Sequence, residues 1–294
     1  MAKIITRISA GLGNQLFSYA AARRLALKNQ AELVLDDKSG FSFKNDYMRI
    51  YQLNNFNIPC RKIRKHEMFK IFPRIHRYLK RNINIILKYN KRNYIFQEND
   101  DFDFRLLNLK VNDTLYIEGL WQSENYFKDF EKQIRRDLSI KPPKDLMNIQ
   151  MAKRIKRLNS IAIHIRFYDD LKFVNKKLHK LYVVKKKYYK IAINKMKKLF
   201  PNAHYFIFAD RSLKSLEDLP LKEKNTTIVN INKNGKNLDF ADLWLMSLCK
   251  HFVIGNSSFS WWGAWLAKNN NKTIFVPKLK FLKKREIPKS WTLI

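Results

Sequence analysis

The sequence predicts an α/β protein built on mostly parallel sheets, and three patterns support this fold class. Short apolar segments alternate with segments of helical periodicity along most of the chain. The chain opens as β-α-β, with a buried strand at Lys3–Ser9, a helix from Asn14 or Gln15 and a strand at 31–35. The second half repeats the alternation most regularly. Strands that alternate with helices favour parallel sheets covered by helices on both faces.

The later elements follow the same alternation. Strands are predicted at 115–120, 161–166, 204–209, 227–231, 252–254 and 273–276, and helices at 185–200, 240–249 and 258–267. Pro142-Pro143 interrupts the pattern, and the stretch to Asn159 is polar and charged. We therefore expect an N-terminal domain at 1–155 and a C-terminal domain at 156–294.

Residues 60–93 differ from the rest because basic and apolar side chains alternate there. The pattern predicts two basic amphipathic helices separated near Pro73. Such helices can lie on an anionic membrane surface. A solvated helical insertion that covers part of the sheet explains the pattern as well.

The chain carries 59 Lys and Arg against 25 Asp and Glu, a net charge of +34. A field this positive attracts nucleic acid, an anionic membrane or a nucleotide diphosphate. A genome-wide enrichment in Lys and Asn would give the same charge. The charge therefore indicates a class of partner and no activity.

The cysteines and the N-terminal segment carry little information about function. Cys60 and Cys249 are too few for a disulfide framework and lack metal-ligand spacing, and Cys249 is interpreted as a small core residue. Arg7 interrupts the apolar start, so no signal peptide is predicted. No segment has about 18 apolar residues without a charge. We expect a cytoplasmic protein, with peripheral membrane contact through residues 60–93 as an option.

In parallel sheets ligands bind beyond the carboxyl ends of the strands, and three strand ends carry candidate residues. The first is the segment 11–17 after the opening strand. Gly11 and Gly13 let the backbone approach a ligand, and the helix that follows offers free N–H groups. The third glycine of a dinucleotide fingerprint is missing, so a plain tight turn is the alternative.

The second candidate is His164-Ile165-Arg166. His164 and Arg166 point the same way because side chains alternate along a strand. An arginine fork suits two phosphate oxygens, whereas a surface Arg–Asp pair is the structural alternative.

The third candidate is the segment from Gly255 to Leu266. Hydroxyls and backbone N–H groups cluster there where a strand passes into a helix N-terminus, which suits a diphosphate. Its tryptophans are interpreted as core packing rather than as sugar-stacking residues.

Together these segments resemble the bacterial and animal α-1,2-fucosyltransferases of glycosyltransferase family 11, relatives of the α-1,6- and protein O-fucosyltransferases. The resemblance covers almost the whole chain in the family's order and is most specific at Leu245–Leu266. The matching segments are Gly11–Phe17, Gly119–Phe127, His164–Arg166 with Asp169, Tyr188-Tyr189, Phe206–Asp210, Asp242–Leu266 and Pro288–Trp291.

The resemblance implies a GT-B architecture of two facing Rossmann-like domains, the N-terminal one for the acceptor and the C-terminal one for GDP-fucose. It implies transfer of L-fucose to the 2-hydroxyl of a galactoside, with inversion and without a metal or other cofactor. A galactose-terminated surface polysaccharide or lipid-linked oligosaccharide is the expected acceptor.

The resemblance also assigns donor-binding residues. Arg166 matches the arginine that holds the donor's β-phosphate. The other matching positions are His164 and Asp210 near the guanine, Ser257 and Ser258 at the diphosphate, and Asn14 in the loop that closes over the donor. Asp169 and Asp170 are the nearest acids, so either is a candidate base. A loop cap or a pair with Lys172 explains them equally well.

Three places depart from the family. Phe167 stands where the family has a second arginine, Tyr168-Asp169-Asp170 where it has Gly-Asp-Tyr, and Arg211 where it has a second acid. The lost charge weakens the expected donor site unless Arg211 or Lys172 supplies it. A transferase with another donor or linkage and an inactive relative therefore stay open. The charge leaves a basic nucleic-acid-binding protein as a further alternative, but the sequence has no nucleic-acid motif and no nucleic-acid partner is expected.

Overall fold

A computed structural model describes residues 1–41, 49–68, 73–99, 101–166, 184–209, 219–232, 238–279 and 287–294, with side chains in the third range from residue 75. The chain divides into two compact units. Unit 1 is Met1–Ser139, and unit 2 begins at Ile140. Each unit has its own parallel sheet, so the predicted α/β class is confirmed.

Unit 1 has a five-stranded parallel sheet in the order β3-β2-β1-β5-β4. Its elements are β1 (Lys3–Ser9), α1 (Leu12–Lys28), β2 (Glu32–Gly40), β3 (Arg61–Lys62), α2 (Pro73–Ile86), β4 (Tyr94–Phe96), β5 (Thr114–Glu118) and α3 (Glu131–Asp137). Short 3-10 turns lie at Leu53–Asn55, Lys65–Glu67, Tyr89–Lys91, Phe104–Asn108, Glu124–Tyr126 and Lys128–Phe130. Three consecutive buried alanines, Ala20 to Ala22, let α1 pack closely in the core.

Unit 2 has a six-stranded parallel sheet in the order β11-β10-β9-β6-β7-β8. Its elements are α4 (Leu146–Arg157), β6 (Ser160–Ile165), α5 (Lys186–Leu199), β7 (His204–Ala209), β8 (Thr226–Ile228), α6 (Asp239–Ser247), β9 (His251–Val253), α7 (Ser258–Leu266), β10 (Ile274–Val276) and β11 (Thr292–Leu293), with a 3-10 turn at Glu223–Asn225. Numbered within the unit, the order is 3-2-1-4-5-6, that of dinucleotide-binding Rossmann sheets.

One core cluster of unit 2 lies between its sheet and α5. β6 is buried along its whole length, as its apolar sequence predicts. Ile161 and Ile163 share a face of the strand and belong to one cluster with Ala192, Ile193 and Met196 of α5. The central strand of the sheet is thereby held against a helix.

The boundary between the units falls after Ser139, earlier than the expected position near residue 155. The reason is α4, which packs within unit 2. Asn148 on α4 exchanges hydrogen bonds of 2.9 and 3.1 Å with Asn232, and Ala152 and Ile155 are buried. The polar helix therefore precedes the second sheet instead of closing the first.

The prediction of two basic helices in residues 60–93 is wrong for the first of them. Arg61 pairs with Val34 at the edge of the sheet, so this segment is strand β3 followed by a 3-10 turn. Two acids hold Arg61 in place, since it forms ion pairs with Glu32 and Glu67 at 2.6 Å each. The second helix is confirmed as α2, which begins at Pro73.

Both cysteines are free, and Cys249 is buried as predicted. Burial raises the pKa of the Cys60 thiol to about 11. Across the described ranges, no helix combines the length and the hydropathy needed to cross a bilayer.

Candidate active site

The strand order of unit 2 defines where a ligand can bind. The chain runs outward from β6 through β7 and β8, then returns to place β9 on the other side of β6. β6 and β9 are direct neighbours, with Ile163 opposite Val253. Their carboxyl ends therefore flank the topological switch point, where ligands of such sheets bind.

The second and third candidate segments of the sequence follow these two neighbouring strands. Arg166 follows β6, and the turn from Gly255 to Ser258 follows β9. Arg166 is half-buried, as are Ser257 and Ser258, so these side chains line the surface at the strand ends. The structure thus brings together residues that are about ninety positions apart in the sequence.

His164 lies just below this surface, with only 8% of its area exposed. Its ring centre is 5.6 Å from that of Phe259 on α7. Burial, and then the nearby Arg166 charge, lower the pKa of His164 to about 3. Its Nδ1 is buried and has no hydrogen-bond partner among the described residues. A neutral imidazole of this kind can exchange a hydrogen bond with a ligand but carries no extra proton at neutral pH.

The turn after β9 prepares a helix N-terminus for an anion. Ser257 is the N-cap residue of α7, and its carbonyl accepts hydrogen bonds from the Trp261 amide at 3.0 Å and the Ser260 hydroxyl at 3.2 Å. Within the described residues, the Ser257 hydroxyl makes no capping bond to its own helix. The first N–H groups of α7, the helix dipole and two serine hydroxyls can therefore meet a phosphate.

Two adjacent tyrosines on α5 hold these strand ends from below. The Tyr189 hydroxyl donates to the His164 carbonyl at 3.2 Å. The Tyr188 Oη lies 2.7 Å from the carbonyl oxygens of both Ile254 and Phe275. The sequence drew attention to the pair but assigned it no role, and paired buried tyrosines in a helix were the available signal.

Gly255 is required by this arrangement. A Cβ at this position would lie 2.5 Å from the Tyr189 Oη and 3.5 Å from the His164 carbonyl oxygen. Real Cβ atoms do not approach a neighbour as closely as the first of these distances. The glycine thus permits the tyrosine to support β6 beneath the turn.

Other residues of the 242–266 segment pack within unit 2. Asn232 donates to Asp242 Oδ1 at 2.7 Å and so connects α6 to α4 through Asn148. Trp262 and Trp265 are buried against each other, which confirms the core-packing interpretation for both.

Unit 1 has a crevice of its own at the corresponding switch point between β1 and β5. Glu118 at the end of β5 accepts from Arg81 at 2.6 Å, contacts Arg7 at 3.2 Å and accepts from the Tyr94 hydroxyl. Burial alone would raise the pKa of Glu118, but the hydrogen bonds from Arg81 and Tyr94 and the Arg7 charge outweigh it and lower that pKa. A cavity of about 240 Å³ at this edge of the sheet is lined by Arg7, Glu118 and Gln97, among others.

Asn14 also lies in unit 1, on the first turn of α1. Its Oδ1 accepts a hydrogen bond from Gln122 at 2.6 Å. The glycine loop before it is shaped by Gln15, whose amide donates to the carbonyls of Ala10 at 2.9 Å and Ile50 at 2.8 Å. Gly11 has an ordinary φ of −69°, and an added Cβ there would meet nothing within 4 Å. The turn itself therefore does not require glycine at this position.

Asp169, Asp170 and Asp210, together with Phe167, lie outside the described residues, so their assignments stay predictions. In the part of the chain that the structure describes, no three His, Cys, Asp or Glu side chains form a group that could hold a metal ion.

The two Rossmann-like units are those of the GT-B fold, which two solved structures share. The model of Glycosyl transferase family 11 matches residues 3–293, and the chain belongs to this family. The predicted family and the predicted GT-B class are therefore confirmed.

Two curated relatives come from Escherichia coli. One is an alpha-1,2-colitosyltransferase, 28% identical over 100% of this chain and 99% of the relative. The other is the O-antigen biosynthesis glycosyltransferase WbnK, 30% identical over 93% of each chain.

Two solved structures share the fold. NodZ alpha-1,6-fucosyltransferase from Bradyrhizobium, soaked with GDP-fucose, is 16% identical over 90% of this chain and 92% of its own, with a TM-score of 0.51. FUT1 from Arabidopsis thaliana, in complex with GDP, is 12% identical over 94% of this chain and 71% of its own, with a TM-score of 0.52.

Proposed function

We propose that this glycosyltransferase moves L-fucose from GDP-fucose to the 2-hydroxyl of a galactoside, with inversion and without a metal, in O-antigen or related surface-polysaccharide synthesis. The observation that carries the proposal is the placement of Arg166 beside the Gly255–Ser258 turn at the switch point of a Rossmann sheet. The family and the names of the relatives support the sugar chemistry.

Arg166 and the turn would stabilise the leaving group. Breaking the fucose–phosphate bond leaves an anionic diphosphate and an oxocarbenium-like sugar. The Arg166 fork, the hydroxyls of Ser257 and Ser258 and the N–H groups of α7 are donors suited to that developing charge. One such donor contributes roughly 3–4 kcal/mol in a comparable oxyanion site. His164, neutral and buried beside them, would take a hydrogen bond from the nucleotide.

The acceptor would bind in the crevice of unit 1. The Glu118 carboxylate can accept hydrogen bonds from sugar hydroxyls, and the Arg7 guanidinium can donate to them. Because the two groups form an ion pair, their charges offset each other. The acceptor hydroxyl must lose its proton, and Asp169 or Asp170 is the proposed base.

A colitosyl donor is the second candidate. The relative that covers the whole chain is an alpha-1,2-colitosyltransferase, and colitose is L-fucose without its 3-hydroxyl. Both donors would use the same phosphate contacts. They differ in one sugar hydroxyl only.

The test offers GDP-fucose and GDP-colitose, each labelled, to a panel of galactosides with and without a chelator. We expect an α-1,2-linked product from GDP-fucose that the chelator does not reduce, and GDP should raise the melting temperature of the protein. Preferred transfer from GDP-colitose would replace the first donor by the second. No thermal shift at millimolar GDP, with tight salt-sensitive binding to nucleic acid, would overturn both.

A further inference from the structure

Helix α2 packs on unit 1 with its polar side and exposes its apolar side. The inward positions, spaced as one helical face, are Arg77, Lys80, Arg81 and Asn84. The outward positions, with 52% to 84% of their area exposed, are Ile75, Leu79, Ile83 and Ile86. An amphipathic helix on a globular protein ordinarily has the opposite orientation.

Polar contacts fix this orientation. Asn84 Oδ1 accepts from the backbone N–H groups of Asn93 and Tyr94 at 2.9 Å each, so it binds the start of strand β4. The Arg81 guanidinium lies 3.9 Å from the centre of the Phe96 ring and reaches Glu118 at 2.6 Å. Rotating the helix to bury its apolar stripe would break all of these contacts, so the stripe stays outward.

The charge around the stripe indicates what covers it. No acidic residue occurs between Glu67 and Glu98, whereas this stretch holds eight Lys and Arg residues. Lys88 and Lys91 follow the stripe directly and are exposed. Tyr78 flanks the stripe with its ring exposed. Apolar side chains bordered by an aromatic ring and by cations suit the interface of an anionic bilayer.

We propose that α2 is a peripheral membrane-binding element. Its stripe of Ile75, Leu79, Ile83 and Ile86 inserts among the acyl chains at the headgroup boundary, and Lys88 and Lys91 contact anionic headgroups. Stable membrane binding needs both the apolar insertion and the attraction between charges, because each supplies only part of the binding free energy.

The test is co-sedimentation of the full chain with vesicles of phosphatidylcholine alone or mixed with phosphatidylglycerol. The wild-type protein should bind the mixed vesicles, and added salt should weaken the binding. The Leu79→Gln/Ile83→Gln variant should bind them at least about tenfold more weakly. The Leu146→Gln/Leu199→Gln variant is the matched control, since both residues are similarly exposed in unit 2. The control should bind like wild type.

Thermal unfolding of the variants shows that each is folded, which the exposure of the substituted residues predicts. Equal vesicle binding by the two double variants would overturn the proposal, as would no wild-type binding to the mixed vesicles. Light scattering tests whether a second copy of the chain covers the stripe instead. A wild-type dimer that the Leu79→Gln/Ile83→Gln substitutions dissociate would assign the stripe to that dimer and overturn the membrane proposal. Retained transfer to a soluble acceptor by that variant supports a membrane role separate from catalysis.

Discussion

The two units have the same kind of crevice, but they fill it with different chemistry. In unit 2 the strand ends carry a guanidinium, a neutral imidazole, hydroxyls and a helix N-terminus. In unit 1 the strand ends carry a carboxylate held by Arg7 and Arg81. The first set is rich in donors for an anion. In the second set the carboxylate is already paired with two guanidinium groups, and the donors and acceptors suit uncharged hydroxyls.

The difference shows how the same kind of crevice can be given two different chemical environments. Strand order fixes where each crevice lies, because it sets the switch point of each sheet. Side chains placed at the strand ends then determine its charge. The proposed division between donor and acceptor follows from those side chains.

The largest effect is expected at Arg166. Arg166→Ala should lower kcat/KM for transfer by roughly 10²–10³-fold, because a donor to the leaving diphosphate is lost. Arg166→Lys should recover only part of this, since lysine lacks the planar fork. Arg157→Ala, an exposed arginine on α4, is the control in the same assay. Near-normal turnover of Arg166→Ala would show that Arg166 does not stabilise the leaving diphosphate.

The second-largest effect is expected from a comparison of Gly255 in unit 2 with Gly11 in unit 1. Gly255→Ala should lower the free energy of unfolding by about 2–3 kcal/mol, because the new Cβ meets the Tyr189 hydroxyl. Adding Tyr189→Phe should restore most of that loss, as the next ring atom is 3.8 Å away. Gly11→Ala should change stability by less than about 1 kcal/mol. Chemical denaturation measures all three, and an equal loss at both glycines would contradict the comparison.

The buried imidazole gives unit 2 an acid sensitivity. Folded His164 stays neutral down to a pKa of about 3, whereas the unfolded chain binds a proton below pH 6.5. Its contribution to stability is present above pH 6.5 and is lost as the pH falls towards 3. Between pH 6.5 and 5 the wild type should lose about 2 kcal/mol more than His164→Asn. Denaturation curves at both pH values test this, and parallel losses would show that the imidazole is solvated.

The smallest effect is expected in unit 1. Glu118→Gln should raise the KM for the acceptor by about tenfold and leave the KM for the donor unchanged, because a charged hydrogen-bonding partner becomes neutral. Glu131→Gln, on the exposed surface of α3, is the matched control. A change confined to the donor KM would place the acceptor elsewhere.

Much of the sheet structure was predictable from the sequence. Strands at Lys3–Ser9 and His204–Ala209 have the predicted bounds, because short apolar runs between turns are characteristic of buried parallel strands. Edge strand β3 has two residues and carries no period, so the pattern could not reveal it. Helix α4 looked like a polar linker because only a few of its side chains are buried.

For the candidate site, residue type and strand ends indicated Arg166 and the segment from Gly255 to Leu266 as phosphate candidates, and the family resemblance assigned Ser257 its proposed role. The role of Tyr189 could not be predicted, because its partner is a backbone carbonyl that any residue could supply. Nor could the amphipathic pattern show which side of α2 packs against unit 1, since the sequence defines a polar side and an apolar side equally well.

The tyrosine pair also limits how this enzyme could be engineered. Tyr188 and Tyr189 reach three backbone carbonyls from a single helical turn, so this support beneath the candidate site does not depend on the side chains above it. A library aimed at a new sugar donor can therefore vary the side chains above this support, apart from Arg166, Ser257 and Ser258. It should leave both phenol groups untouched.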